Sequence, residues 1–183
     1  MFVEADVWNV AHTDQGYAVL IRPIGVDAAV PIFIGQLEAQ SILLGMGDIP
    51  IPRPNTHELF INALKTAGYS VEKVEISELK DGIFYSTIFL TGSGGSIELD
   101  SRPSDSIALA VRAECRIFIS EQVVEDAGVA LNFITEKTEK VTSEAEKRRI
   151  KLESELEEAV KLENYEEAAR LRDMLKQVDS EFF

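Results

Sequence analysis

The stretch SVEKVEISELKDGIFYSTIFLTG (residues 70–92) decides which fold the sequence predicts. Both halves are rich in β-branched and aromatic residues, which are typical of strands. Between them lies Lys80-Asp81-Gly82, a turn sequence that favours a tight hairpin. We therefore predict two antiparallel strands joined at this turn.

Similar strand patterns lie on both sides of this hairpin, and helical patterns lie among them. The segments with strand composition are 2–10, 17–24, 28–35, 95–100 and 116–120. Helical spacing is found in 35–47, with Gly45 and Gly47 ending it, after an Asn55–Glu58 capping box, from Pro103 onward, and in 121–128. Strands and helices do not alternate strictly, so we predict an α+β domain with a mixed, mainly antiparallel sheet and packed helices.

Length and composition limit the classes of protein that fit. The 183 residues suit one domain with an appendage, and no apolar run is long enough for a transmembrane helix. The first residues carry acids where a signal peptide would carry lysines, and Cys115 is the single cysteine. We expect a cytoplasmic protein without disulfides or membrane contact. The net charge of −14 disfavours non-specific nucleic-acid binding unless divalent cations bridge the protein carboxylates and the phosphates.

The C-terminal quarter differs in character from the preceding residues. We place a first domain at 1–135, a linker at 136–142 and an α-helical hairpin at 143–183, in which Asn164 and Glu167 cap the second helix. Two short helices bury too little surface to stand alone, so the hairpin needs something to pack on. The residues predicted to contact a partner are Leu156, Tyr165, Ala168, Leu171 and Leu175.

The segment DSRPSD (residues 100–105) is the main candidate for a site. If 95–100 is a regular strand, Glu98 and Asp100 share one face, and Pro103 suits the first turn of the next helix. That arrangement predicts that Asp100 and Asp105 lie close together with Arg102 between them. Phosphodiester cleavage uses carboxylates that hold Mg²⁺ or Mn²⁺ and a cation that stabilises the phosphorane. We assign Asp100, Asp105 and Glu98 as metal ligands and Arg102 as the cation.

A structural interpretation of the same segment stays open. Asp105 also stabilises a helix dipole, Arg102 can pair with either aspartate, and Ser101 and Ser104 can cap the helix. In the functional interpretation these two serines bind substrate.

Further candidates lie near the second helix. His57 falls in a first helical turn, where the dipole disfavours its charged form and leaves a neutral imidazole able to act as a base. Arg53 can bind phosphate or pair with Glu58, and Glu38 can complete a carboxylate set. Each is equally compatible with a surface or capping role.

The sequence resembles two known families, each over a different part of the chain. Segments 30–42, 52–60, 74–90, 99–112 and 117–125 resemble the bifunctional nuclease (BFN) domain, a bacterial and plant domain credited with acting on DNA and RNA. The segment LEEAVKLENYEEAARLRDML (156–175) is similar to the UVR motif, the hairpin that joins two subunits of bacterial excision-repair nuclease and recurs in adaptors of Clp-type proteases.

The resemblance implies a bacterial nuclease that acts on DNA or RNA, and the carboxylates assigned above make metal assistance the expected mechanism. It also implies a hairpin that contacts another UVR-containing chain or a second copy of this one, and a homodimer. The alternative is a non-enzymatic interaction or regulatory module that assembles through the hairpin, and the acidic charge favours this alternative.

Overall fold

The structure, a computed structural model, describes residues 1–13, 15–47, 51–133, 148, 151–152, 154–156 and 164–182. The chain divides into two compact units, Met1–Ala130 and Leu131–Phe183. The elements of the first unit are β1 (Phe2–Thr13), β2 (Gly16–Pro23), β3 (Ala28–Ile34), α1 (Gln36–Met46), α2 (Thr56–Thr66), β4 (Tyr69–Lys80), β5 (Ile83–Gly92), β6 (Gly95–Ser101), α3 (Pro103–Ala113), β7 (Arg116–Ser120), α4 (Glu121–Ala127) and β8 (Val129–Ala130).

The strands in the described part of the chain form one mixed sheet of eight, in the order β6-β5-β4-β7-β1-β2-β3-β8. Every neighbouring pair is antiparallel except β4 and β7, which run parallel. The predicted α+β class with a mixed, mainly antiparallel sheet is confirmed.

The β4–β5 hairpin turns where the sequence predicted it. Lys80 pairs with Ile83, which leaves Asp81 and Gly82 as a two-residue loop with φ of 52° and 78°. Positive φ at both central residues matches the right-handed twist of the flanking strands, and an Asp-Gly pair adopts it at low cost.

One face of the sheet, here called the core face, packs against the helices. Strand residues such as Val74, Ile88 and Ile119 are buried there with residues from all four helices. The helix residues of this cluster include Ile42, Ile61, Ile107 and Val123. On the opposite face, Lys73 pairs with Glu75 at 2.6 Å. The helices cover one face of the sheet, and their ends are exposed. Polar side chains from different helices can therefore meet at these ends.

Gly45 does not end α1, as the sequence suggested, but lies inside it. A Cβ at this position would lie 2.7 Å from Val111 Cγ2 and from Arg112 Nη1. The missing side chain therefore lets α1 approach α3 closely. The helix ends one residue later at Met46, with the Gly47 N–H bonded to the Leu43 carbonyl.

The second unit contains a long helix, α5 (Tyr165–Phe182). Asn164 accepts a hydrogen bond from the Glu167 backbone N–H at 3.3 Å, as the capping pattern predicted. Leu152, Ala168 and Leu171 are buried together. The predicted linker at 136–142 lies outside the described residues. No helix within the described ranges is long and apolar enough to span a membrane.

Candidate active site

The N-terminal halves of three helices bring polar side chains together. Glu38 and Ser41 belong to α1, His57 to the first turn of α2, and Arg102 and Asp105 to the start of α3. Arg102 is the N-cap residue of α3, and Pro103 occupies the first helical turn, where its missing N–H costs nothing. These five residues are called the polar cluster below.

Arg102 lies between two carboxylates. Its Nε and Nη2 atoms donate to the two oxygens of Asp105 at 2.8 and 3.2 Å, and Nη1 donates to Glu38 Oε1 at 3.3 Å. The contacts with these carboxylates, of which the hydrogen bonds donated to Asp105 have the largest effect, raise the pKa of Arg102, so the guanidinium stays charged. A guanidinium has five N–H groups. Three are used here, which leaves two for a ligand on a side chain that is 67% exposed.

His57 contacts both neighbouring helices. Its Nδ1 atom lies 2.8 Å from Ser41 Oγ on α1, and its Nε2 atom lies 3.6 Å from Asp105 Oδ1 on α3. The imidazole is 19% exposed, so solvent reaches it, while Ser41 lies within hydrogen-bond distance on one side and the Asp105 carboxylate lies nearby on the other. Asp105 is thus shared by Arg102 and His57.

An ion pair between the buried Arg112 and the partly exposed Glu58 lies next to the polar cluster. Arg112, only 7% exposed, donates to Glu58 and also to the backbone carbonyls of Ala108 and Ser41 at 2.8 and 2.9 Å. Burial alone would raise the pKa of Glu58, but hydrogen bonds from Arg112 and the Asn55 backbone N–H outweigh it and lower the pKa. The sequence had suggested Arg53 as the partner of Glu58, and the structure shows Arg112 instead.

Of the serines predicted to bind substrate, Ser104 is buried and Ser101 is partly buried. Ser101 Oγ lies 3.0 Å from Ser86 Oγ, which in turn accepts from Ser106 Oγ at 3.0 Å. These contacts tie β5 and β6 to the first turn of α3. Ser104 is buried at 7% exposure. Neither serine caps α3, because its N-terminus has no side-chain cap hydrogen bond. Their assignment as substrate contacts stays a prediction.

The predicted carboxylate set is not assembled. Ser86 and Ser101 are paired across β5 and β6 and face α3 through Ser106. Because successive strand residues point to opposite faces, Asp100 and Glu98 lie on the face away from α3, whereas Asp105 lies on α3 itself. The described residues contain no group of three or more His, Cys, Asp or Glu side chains that could hold a metal ion. This alternation argues against the expected proximity of Asp100 and Asp105, which stays a prediction.

The remaining candidates are simpler to place. Arg53 is exposed in the segment that leads into α2, and it forms no ion pair with the part of the chain that the structure describes. Cys115 packs against the core, and burial raises the pKa of its thiol to about 11. A thiol that stays protonated at neutral pH is a poor nucleophile, which agrees with a packing role.

Sequence reasoning missed Ser41. A serine inside a helix carries no recognised motif, and its partner His57 is 16 residues away along the chain. The one available signal was spacing, because Glu38 and Ser41 are three residues apart and so share a face of α1.

Comparison with known proteins identifies both parts of the chain. Residues 19–132 match the sequence model of the bifunctional nuclease domain, and residues 146–181 match that of the UvrB/UvrC motif. The chain belongs to the bifunctional nuclease domain family. The polar cluster lies wholly within the matched range of the bifunctional nuclease domain.

Relatives of this domain are found in bacteria and plants. An uncharacterized protein of Mycobacterium tuberculosis is 35% identical over 113 residues, covering 62% of this chain and 67% of its own length. Bifunctional nuclease 1 of Oryza sativa subsp. japonica is 29% identical over 114 residues, covering 61% of this chain and 34% of its own. Bifunctional nuclease 1 of Arabidopsis thaliana is 24% identical over 178 residues, covering 87% and 55%. The chain thus spans about a third of the rice nuclease and about half of the Arabidopsis one.

Proposed function

We propose that this chain cleaves phosphodiester bonds of DNA or RNA at the polar cluster. The observation that carries the proposal is the exposed Arg102, held between Glu38 and Asp105 with His57 against the same Asp105. The names of the plant relatives make a nucleic acid the substrate class to test first.

Arg102 is suited to the phosphate. Its two remaining N–H groups can donate to phosphate oxygens, and the planar guanidinium matches their geometry. The carboxylates on its other edges fix its position before substrate arrives. A cation that is held in place stabilises the charge that develops on the phosphorane without reorganising.

His57 and Asp105 are suited to proton transfer. An imidazole held by a carboxylate on one side can accept a proton on the other and return it to a leaving oxygen. Asp105 stabilises the imidazolium that forms. Arg53, exposed before α2, is a further phosphate contact in this proposal.

The requirement for Mg²⁺ or Mn²⁺ is a separate question. The ligands assigned from the sequence, Asp100, Asp105 and Glu98, do not lie together, and the described residues do not fit a three-ligand metal centre. We therefore derive no step through a metal. The expected requirement for a divalent cation is tested by measuring whether cleavage persists in EDTA.

A non-enzymatic interaction module remains the second candidate, and one observation favours it. The net charge is −14, and the polar cluster holds two carboxylates against one arginine. Phosphate binding there must overcome local repulsion, so substrate affinity should be weak, and with few arginines facing the phosphates it should depend only modestly on salt.

The first prediction tests these candidates against each other. Purified protein incubated with labelled single- and double-stranded DNA and RNA should cleave at least one of them at low salt. Parallel reactions with Mg²⁺, Mn²⁺ or EDTA show whether a divalent cation is needed. If all substrates stay intact under all conditions, the interaction module is the correct reading.

We also propose that the UVR-type hairpin makes protein contacts, with a second copy of this chain as partner. Ala168 and Leu171, predicted to touch a partner, are buried against Leu152 inside the unit, whereas Tyr165 is 70% exposed. Leu156 and Leu175 are partly buried at the edge of the same cluster. An exposed aromatic beside a small apolar cluster is a suitable contact surface, since aromatic residues dominate interface energetics.

The second prediction distinguishes partner contact through the exposed Tyr165 from packing within the unit through the buried Leu171. Wild-type protein at micromolar concentration should scatter light as a dimer of about twice 20.3 kDa. Tyr165→Ser should give the monomer mass with unchanged helical circular dichroism, because the side chain is exposed. Leu171→Asp should reduce helicity as well, since a buried carboxylate without a partner costs several kcal/mol. A wild-type monomer, or a Tyr165→Ser dimer, would contradict contact through this surface.

A further inference from the structure

Ser41, His57 and Asp105 form a continuous chain of polar contacts across three helices. Ser41 Oγ lies 2.8 Å from Nδ1 of His57, and Nε2 of the same ring lies 3.6 Å from Asp105 Oδ1. A neutral imidazole carries one proton, and the nitrogen that faces a carboxylate is the one that keeps it, because a bare lone pair there would be repelled. Nδ1 is then an acceptor, and the Ser41 hydroxyl donates to it.

This placement limits what His57 can do. With Nε2–H directed at Asp105 and Nδ1 occupied by Ser41, the proton within reach of the ring is that of the Ser41 hydroxyl. A hydroxyl that donates to an imidazole, itself oriented by a carboxylate, is the arrangement that activates a nucleophilic serine. We propose that Ser41 is the nucleophile of the polar cluster, an inference that rests on the proposed phosphodiesterase function.

The position of Ser41 on α1 supports this role. Glu38 precedes it by three residues and so shares its helix face, and Glu38 is the residue through which α1 contacts Arg102. The phosphate-binding cation and the hydroxyl are thus on one side of α1. The Ser41 carbonyl is held separately by Arg112 Nη2 at 2.9 Å, which fixes the backbone that carries the hydroxyl.

The chemical step divides cleavage into two displacements. In the first, Ser41 Oγ forms a bond to phosphorus, His57 takes the hydroxyl proton, and the bond to the leaving nucleoside oxygen breaks as that oxygen receives the proton. In the second, water attacks the phosphoserine, His57 takes a water proton and returns it to Ser41 Oγ as the phosphorus–serine bond breaks. Water is the one co-reactant, and no electrons are transferred.

A double displacement can be recognised from the configuration at phosphorus in the product. Each in-line attack inverts phosphorus, so two attacks give net retention, whereas direct attack by water gives inversion. An oligonucleotide with one phosphorothioate linkage of defined configuration, cleaved in ¹⁸O-water, reports this difference whether or not the intermediate accumulates. We expect retention for the wild-type protein.

Substitution of the serine completes the test. Ser41→Ala keeps the backbone contact with Arg112 and should leave the urea unfolding midpoint near that of the wild type. It should lower the cleavage rate about 10³-fold, as loss of an activated nucleophile does. Inversion at phosphorus, or a Ser41→Ala protein that cleaves within about tenfold of wild type, would overturn the assignment. Absence of cleavage by the wild type would instead refute the proposed function.

Discussion

Glu58→Ala is expected to destabilise the first unit by about 3 kcal/mol, because it leaves Nε of the buried Arg112 without an acceptor and the charge of Arg112 without compensation. Arg112 is 7% exposed and donates to Glu58 together with two backbone carbonyls. The same carboxylate accepts from the Asn55 N–H and so helps to begin α2. Urea denaturation followed by fluorescence measures the effect, since the single tryptophan, Trp8, lies in β1 of this unit.

Glu58→Gln is the matched control for that substitution. A glutamine keeps an oxygen acceptor for Arg112 and can still complete the capping box, so its cost should be only about 1 kcal/mol. If the free energy of unfolding of Glu58→Ala lies within 1 kcal/mol of that of the wild type, the ion pair does not stabilise the packing of α2 on α3 as the burial of Arg112 indicates.

The ion pair between Glu58 and Arg112 also makes the stability of the fold depend on pH in a defined direction. The pKa of Glu58 is lowered from its ordinary value of 4.5, so the folded state favours the charged carboxylate. Its contribution is fully present above about pH 4.5 and is lost as pH falls through the lower pKa of the folded state. The stability difference between wild type and Glu58→Gln should therefore narrow on acidification below that pH.

Local sequence patterns were enough to predict most of the elements. Asp81-Gly82 could form a two-residue turn, and Asn55 and Asn164 marked helix starts that the structure confirms. These features depend on residues a few positions apart, where backbone geometry leaves few alternatives. Gly45 shows the limit of this reasoning, because its role as a point of close approach depends on α3, far along the chain.

The site could be predicted only in part for the same reason. Alternation along β6 predicted that Glu98 and Asp100 share a face, but not that α3 packs on the other one. That choice follows from Ser86 on β5, which pairs with Ser101 and binds Ser106. In the second unit, likewise, the pattern marked Ala168 and Leu171 as apolar without showing that they are buried within the unit.

The second large effect is expected from Asp105→Asn, which should lower cleavage by about 10²- to 10³-fold. The substitution keeps the shape of the side chain but removes the charge that both positions Arg102 and orients His57. A neutral amide cannot stabilise an imidazolium, and loss of one group directed at developing charge has effects of this size. Stability should change little, because Arg102 is mostly exposed and a surface ion pair contributes at most about 1 kcal/mol.

Asp100→Asn is the control that makes this test specific, since it changes an aspartate five residues away on the opposite face of the sheet. The most direct measurement is the single-turnover cleavage rate of wild type, Asp105→Asn and Asp100→Asn on the same labelled oligonucleotide. If the polar cluster is the active site, Asp105→Asn is slowed at least about 100-fold and Asp100→Asn stays within about threefold of wild type. Equal losses in both variants, or a loss confined to Asp100→Asn, would contradict the account and place the chemistry elsewhere.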